Sequence, residues 1–336
     1  MLAGTAGFAA AEVALSGYAE IGILSSENAT TARLLGVTAG DATFHQDVEV
    51  SFALSGETDG GLSFGAGIDL DETNVGLGDD SGTTVFVSGA FGKITMGDTD
   101  GALDWAVADA GALTSMGDDH TTHVNYFGAG GLDATFDNQV LRYEYSFGDF
   151  GVAVSLEQAS NGSSAVGTLD DNVGIGATYS LDMAGTAVKL GLGYQTGTVI
   201  VSGDNPNTLD DPLTFAVENR EATVRAGADV WGLSASAELA NGISGSLGYT
   251  DTSVDGVGND YSNLGLGVTY TTGALSLHVN YGSTDPEVGA SDSSYGLAAN
   301  YDLGGGAVVM AGYGSDVDAF TAGDQAQYSI GLGLSF

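Results

Sequence analysis

The 336-residue sequence predicts an all-β fold, a transmembrane antiparallel β-barrel of about 16 strands. Three observations predict it. Apolar residues recur at every second position from Glu12 onward, the spacing at which a strand's side chains share one face. Composition favours extended chain and tight turns, with 55 Gly, 3 Pro and no Cys beside many Tyr, Phe, Val and Leu. No apolar run reaches the ~18 residues that a membrane helix needs, whereas a barrel strand spans with only ~9–11.

The chain opens with MLAGTAGFAAA, an apolar stretch of small residues ending in Ala9, Ala10 and Ala11. It reads as the remnant of a secretory signal peptide, residues 1–11, with mature protein expected from Glu12. No Lys or Arg precedes the apolar part, so the basic region of such a leader is missing.

Residues 12–336 read as a single barrel domain. In the first segment Val13, Leu15, Ala19, Ile21 and Ile23 take one face, and Ser16, Tyr18 and Glu20 the other. Phe44, Val48, Val50, Phe52 and Leu54 alternate with His45, Asp47, Glu49 and Ser51, and Leu62 to Leu70 repeats the pattern. Later segments follow suit, as in Val173, Ile175, Ala177, Tyr179 and in Leu275, Leu277, Val279, Tyr281. The faces opposite carry Gly, Ser, Thr, Asn, Asp and His278. A soluble sandwich would crowd its wet faces with long charged side chains, so these small residues point to a curved sheet with water inside and lipid outside. Their size also implies an open lumen.

Connections alternate between tight and long, as in outer-membrane barrels. Gly56 to Gly61, Gly89 to Gly92, Phe147 to Phe150, Asp182 to Thr186, Thr271 to Ala274 and Leu303 to Gly306 read as tight. Leu24 to Thr43, Asp71 to Thr83, Ser160 to Asn172, Asp251 to Tyr261, Gly282 to Ser293 and Gly314 to Asp324 read as long. Counting periodic runs gives about seventeen, and an odd number would leave the two termini on opposite sides of a membrane. Between Asn219 and Ala240 the apolar parity flips, from Ala222, Val224, Ala226 and Ala228 to Trp231, Leu233, Ala235 and Ala237. One long strand bulged near Val230 and Trp231 explains the flip and restores about sixteen.

Charge excludes one class of partner. With 44 Asp and Glu against 6 Lys and Arg, the net charge is -38, and the clustered cations that nucleic acid requires are missing. Thiol chemistry is excluded with the absence of Cys. The four His, His45, His120, His123 and His278, sit in no G-x-S-x-G or H-E-x-x-H context, so the chain does not read as an enzyme. His120 and His123 beside Asp118 and Asp119 could bind a metal, and a solvated pore lining is the simpler role. A calcium-binding β-roll would need tandem G-G-x-G-x-D nonapeptides that the chain lacks.

Four stretches then carry a family resemblance: AEVALSG (Ala11 to Gly17), FALSGETDGGLSFGAG (Phe52 to Gly67), TVFVSGAFGKITMGD (Thr84 to Asp98) and YDLGGGA (Tyr301 to Ala307). They resemble general porins of the Rhodobacter type, Gram-negative outer-membrane proteins, densely over the first 100 residues and thinly between Gln158 and Gly258. The resemblance implies an outer-membrane location, a 16-stranded homotrimeric barrel, and a third external loop folded inward as a constriction. Residues 98–138, the longest stretch without strand periodicity, stand where that loop would be. The terminal strand ending in Phe336 looks like the signal read by the barrel-assembly machinery. Trimer contacts would fall beside the Gly89 to Gly92 turn and at the two chain ends.

The resemblance also places the site residues. The constriction loop supplies Asp98, Asp100, Asp104, Asp109, Asp118 and Asp119, and the facing pore wall Glu20, Asp47, Glu49, Arg142 and Glu144. Relatives set basic wall residues across from the acidic loop, and this chain departs from them. Only Arg142, and by a weaker pattern Lys93 and Lys189, has the parity to face the lumen. The expected result is a water-filled, cation-selective pore. Other readings stay open: a substrate-specific channel, or a structural barrel in which Asp98, Asp100, Asp104, Asp118 and Asp119 hold Ca²⁺. No cofactor is required by the channel reading.

Overall fold

A computed structural model of the chain describes residues 12–26, 41–71, 82–111, 113–119, 121, 123, 125–133, 139–158, 171–183, 185–203, 222–256, 260–315 and 326–336. For Ser26, Asp71, Asp118, Asp119 and residues 200–203 and 222–225 the description stops at the backbone. The expected leader, residues 1–11, lies outside the described residues.

The strands run in chain order as β1 (Glu12–Ser26), β2 (Ala42–Glu57), β3 (Ser63–Asp71), β4 (Thr83–Gly89), β5 (Gly92–Gly97) and β6 (Val140–Phe147). They continue as β7 (Phe150–Glu157), β8 (Asn172–Asp182), β9 (Ala187–Gly203), β10 (Ala222–Glu238) and β11 (Ile243–Val254). The last are β12 (Tyr261–Thr272), β13 (Leu275–Pro286), β14 (Asp292–Gly304), β15 (Ala307–Ser315) and β16 (Ala326–Ser335). Each pairs antiparallel with its sequence neighbours, and β16 closes on β1, giving a sixteen-stranded barrel without an edge. Closure satisfies every ladder donor and acceptor within the sheet, the condition for crossing a hydrocarbon layer.

The alternation along each strand sorts the side chains. Leu15, Ile21, Ile175, Leu192, Leu233, Leu266, Val279 and Leu297 stand exposed on the outside, where lipid is their solvent. Aromatic pairs gather toward both ends of the outer face. Phe150 and Tyr179 approach to 4.5 Å near the short turns, and Tyr194 and Trp231 to 4.5 Å nearer the long connections. Tyr194 Oη donates to Asp229 there, a polar pairing suited to a headgroup zone.

All six expected tight connections join neighbouring strands at one end of the barrel. Gly148 and Gly273, at φ of 61° and 59°, supply left-handed backbone in two of them. Two expected long connections are shorter than their composition implied: β11 runs on through Val254 and β13 through Pro286. The polar runs TDTSV and GSTDP belong to ladders that continue past the apolar band.

The bulge expected near Val230 does not exist. β10 pairs with β9 in one unbroken register, from Ala222 opposite Gly203 to Glu238 opposite Ala187, and with β11 equally without a shift. Even-numbered residues of β10 point inward over its described side chains. The parity flip has another cause, because Ala228 and Val230 are buried against an apolar segment inside the barrel. The apolar face changes from inward-facing at Ala228 and Val230 to lipid-facing at Trp231 and Leu233 along one regular strand.

Candidate functional site

Residues 98–139 stand between β5 and β6, and the described ones among them lie against the inner wall. Two short helices punctuate them, α1 (Ala102–Ala106) and α2 (Met116–Asp119). Backbone groups that have left a ladder must find other partners. They find them strand by strand around the wall. Ala102 N–H donates to Ser155 Oγ on β7 and Ala108 N–H to Ser234 Oγ on β10, both at 2.8 Å. Asn125 N–H donates to Ser294 Oγ on β14 at 3.0 Å, and Gly117 N–H to the Glu20 carboxylate on β1 at 2.7 Å.

Glycine makes the room. A Cβ at Gly232, Gly248, Gly267, Gly282, Gly296 or Gly312 would run into Leu103, Phe127, Ala110, Asn125, Thr121 or Ser115 of the inward segment, in that order. The small inward residues at these positions are a docking track for this segment, a role their size alone does not reveal. Apolar packing adds to the fit: Leu103, Val107, Ala110, Phe127, Ala129 and Leu132 form one cluster with Ala228, Val230 and Val254 of the wall. Burial of such side chains contributes about 1.5–3 kcal/mol each before ordering costs.

Buried amides and carboxylates close the neck of the segment. Asp133 accepts Gly101 N–H at 2.7 Å and Gln195 Nε2–H at 2.6 Å. Gln195 Oε1 accepts Leu132 N–H at 2.7 Å, and Asn172 Nδ2 donates to the Leu132 carbonyl at 2.8 Å and to Glu157 at 3.0 Å. Asn172, Gln195 and Glu157 are each 1 % exposed. None was marked from sequence, although long polar side chains on an otherwise small inward face were a usable signal. His123, expected in a solvated lining, is instead buried, 2.6 Å from Ser294 Oγ and 2.8 Å from Asn280 Oδ1. His278 is buried too, on Thr269 Oγ1 at 2.8 Å. His120 lies outside the described residues.

The expected wall residues separate into two groups. Glu20 and Asp47 stand opposite each other on β1 and β2 and are both buried under the tip of the segment. Tyr18 Oη donates to Glu20 at 2.8 Å, and His45 Nε2 lies 3.0 Å from it. Glu49 and Glu144 are half-buried, and Asp69 is exposed on the inner face of β3. Arg142 is held by Glu144 at 3.2 Å and faces Asp100 at 4.0 Å, while Lys93 lies 3.8 Å from the same Glu144. Both inward cations near the segment are matched by carboxylates.

Of the expected loop carboxylates, Asp98 accepts Gly82 N–H at 2.7 Å and Asp109 accepts Ala129 N–H at 2.9 Å. Burial, then the charges of Asp100, Asp109 and Asp133, push Asp104 up to about 7 against the pull of Arg142. Burial also raises Asp133 to about 6, opposed by its two hydrogen bonds. Asp109 moves in the same direction, again chiefly through burial. Asp98, Asp100 and Asp104 do not converge on one point. Among the described residues no three His, Asp or Glu side chains group closely enough to hold a metal ion, and the side chains of Asp118 and Asp119 lie outside the description.

Comparison with known proteins places this geometry. The family model described as Gram-negative porin matches residues 1–318. A porin of Rhodobacter capsulatus is 31 % identical over 307 residues, covering 90 % of this chain and 93 % of that one. A porin structure refined at 1.8 Å superposes with a TM-score of 0.69 and 28 % identity, over 97 % of this chain and all of the other. A variant of Rhodopseudomonas blastica porin shares the fold alone, with a TM-score of 0.60 and 18 % identity, over 97 % of this chain and 100 % of that one.

Proposed function

The chain belongs to the Gram-negative porins, channel proteins of the bacterial outer membrane rather than enzymes, and from that membership we propose a cation-selective pore for passive diffusion of ions and small hydrophilic solutes. The observation that carries the sign of the selectivity is the neutralisation of Arg142 and Lys93 by Glu144 and Asp100. Carboxylates remain in excess on both sides of the passage: Asp104, Asp109 and Asp133 on the segment, Glu49 and Asp69 on the wall. A single-signed field concentrates cations and repels anions. It is screened as the Debye length falls to ~3 Å near 1 M salt.

A reversal potential across a KCl gradient without Ca²⁺ tests the reading. Cation selectivity at low salt that weakens with added salt is expected, and a neutral or anion-selective value at low salt overturns it. The proposal extends to a homotrimer with an outer surface in lipid, and to Phe336 as the residue read by the assembly machinery. Phe336 is 80 % exposed, and its backbone pairs with Gly17 in both directions, at 2.8 and 3.3 Å. Cross-linking in mild detergent that returned only monomers would count against the trimer.

A further inference from the structure

Below the inward segment, toward the tight-turn end, the wall carries charges that the diffusion reading does not use. Ser180, Lys189 and Ser236 stand in one row across β8, β9 and β10, and Asp182, Ala187 and Glu238 in the next. Leu190 and Leu192 of β9 point to lipid, so Lys189 faces the lumen. Diagonal positions on neighbouring strands lie about 7–8 Å apart, which sets Lys189 beside Glu238 and Asp182 without obliging them to touch. Among the described residues no carboxylate comes within ion-pair distance of Lys189, unlike Arg142 and Lys93.

These side chains border a real concavity. Lys189, Ser236 and Glu238 line an open trough that continues past Ser236 and Glu238 into a cavity of about 250 Å³ bordered by Asp109 and Thr269. A cation at one end, carboxylates beyond it and hydroxyls between match the two ends of a small dipolar molecule. An acidic passage would repel the carboxylate of such a molecule, and Lys189 offsets that repulsion.

We propose that this trough is a binding subsite for small zwitterions of the α-amino acid class. The solute carboxylate meets Lys189 and the Ser236 hydroxyl, and its ammonium meets Glu238. The proposal rests on the channel reading above, because Lys189, Ser236 and Glu238 stand on the lumen face of their strands.

L-Alanine and lactamide test it, since lactamide keeps the carbon skeleton but carries a hydroxyl and an amide in place of the two charges. Entry of each into proteoliposomes at low concentration gives an alanine-to-lactamide ratio. The expected ratio is about twofold to fivefold, the enrichment one exposed charge pair supplies, falling toward unity in Lys189→Gln and in Glu238→Gln. Lactamide entry with a wild-type ratio of one overturns the subsite alone, as does a raised ratio that neither substitution changes. Entry of neither solute overturns the channel reading and the subsite with it.

Discussion

The backbone N–H of Gly117 donates to the Glu20 carboxylate at 2.7 Å, so a segment that leaves the wall after β5 is fastened at its far end to the first strand. The described residues between Asp98 and Asp133 thereby reach most of the way around the inner circumference. Their contacts on β7, β10, β14 and β1 make the inward segment a built part of the wall.

Glu20→Ala removes that fastening and leaves Gly117 N–H without its acceptor, at a cost of about 1–3 kcal/mol to docking. Single-channel records should show larger and noisier current with the barrel intact. Glu49→Gln should instead move the reversal potential toward zero without added noise. Quiet, unchanged current in Glu20→Ala would place the tip of the segment elsewhere.

Gly267→Val sets side-chain atoms where the Ala110 carbonyl now lies. Overpacking of this kind costs about 1–3 kcal/mol, and the segment yields before the hydrogen-bonded wall does. Higher conductance with unchanged resistance of the barrel to heat in detergent is expected. A drop in that resistance with unchanged conductance would contradict the docking track.

The chain has no Cys, so single reporters are clean. Cys at Val230 should resist aqueous thiol reagents, being buried under the segment, while Cys at Asp229 should react from outside. Reversed reactivity would restore the bulge.

Selectivity should depend on pH. Asp104 and Asp133 are raised to about 7 and about 6, and Asp109 moves the same way, so all three hold protons over a range in which free carboxylates have lost them. Charge in the passage, and with it cation selectivity, therefore grows as pH rises between about 5 and 8. Docking follows the opposite sign: the docked state binds more protons, so it strengthens as pH falls through this window and weakens above it. Hydrogen exchange of residues 101–133, corrected for its intrinsic rate, should show protection declining with pH. Asp104→Asn should flatten the selectivity profile near pH 7.

The period of two was enough to read the barrel, because lipid outside and polar surface inside write the same alternation into every strand. It misled where the inside is apolar as well. Ala228 and Val230 look like a slipped register only until the segment that covers them is known. The site was legible as a length of chain and a set of carboxylates. Its anchors were not, since Ser155, Ser234 and Ser294 read as generic lumen residues until their partners across up to 169 positions are in place. Glu20, expected on the pore wall, is buried there and also serves as an attachment point for Gly117.

Met116 straddles the seam of the barrel. Gly22 and Gly331 are direct partners across the β1–β16 junction, and the Met116 side chain lies 2.8 and 2.7 Å from where their Cβ atoms would stand. Its seat is made jointly by the first and last strands, and so comes into being only when those strands meet. During biogenesis the tip of the segment has nowhere to settle until the cylinder is shut. That tip is seated only once the first and last strands have paired, whereas the contacts on β7, β10 and β14 do not need the seam.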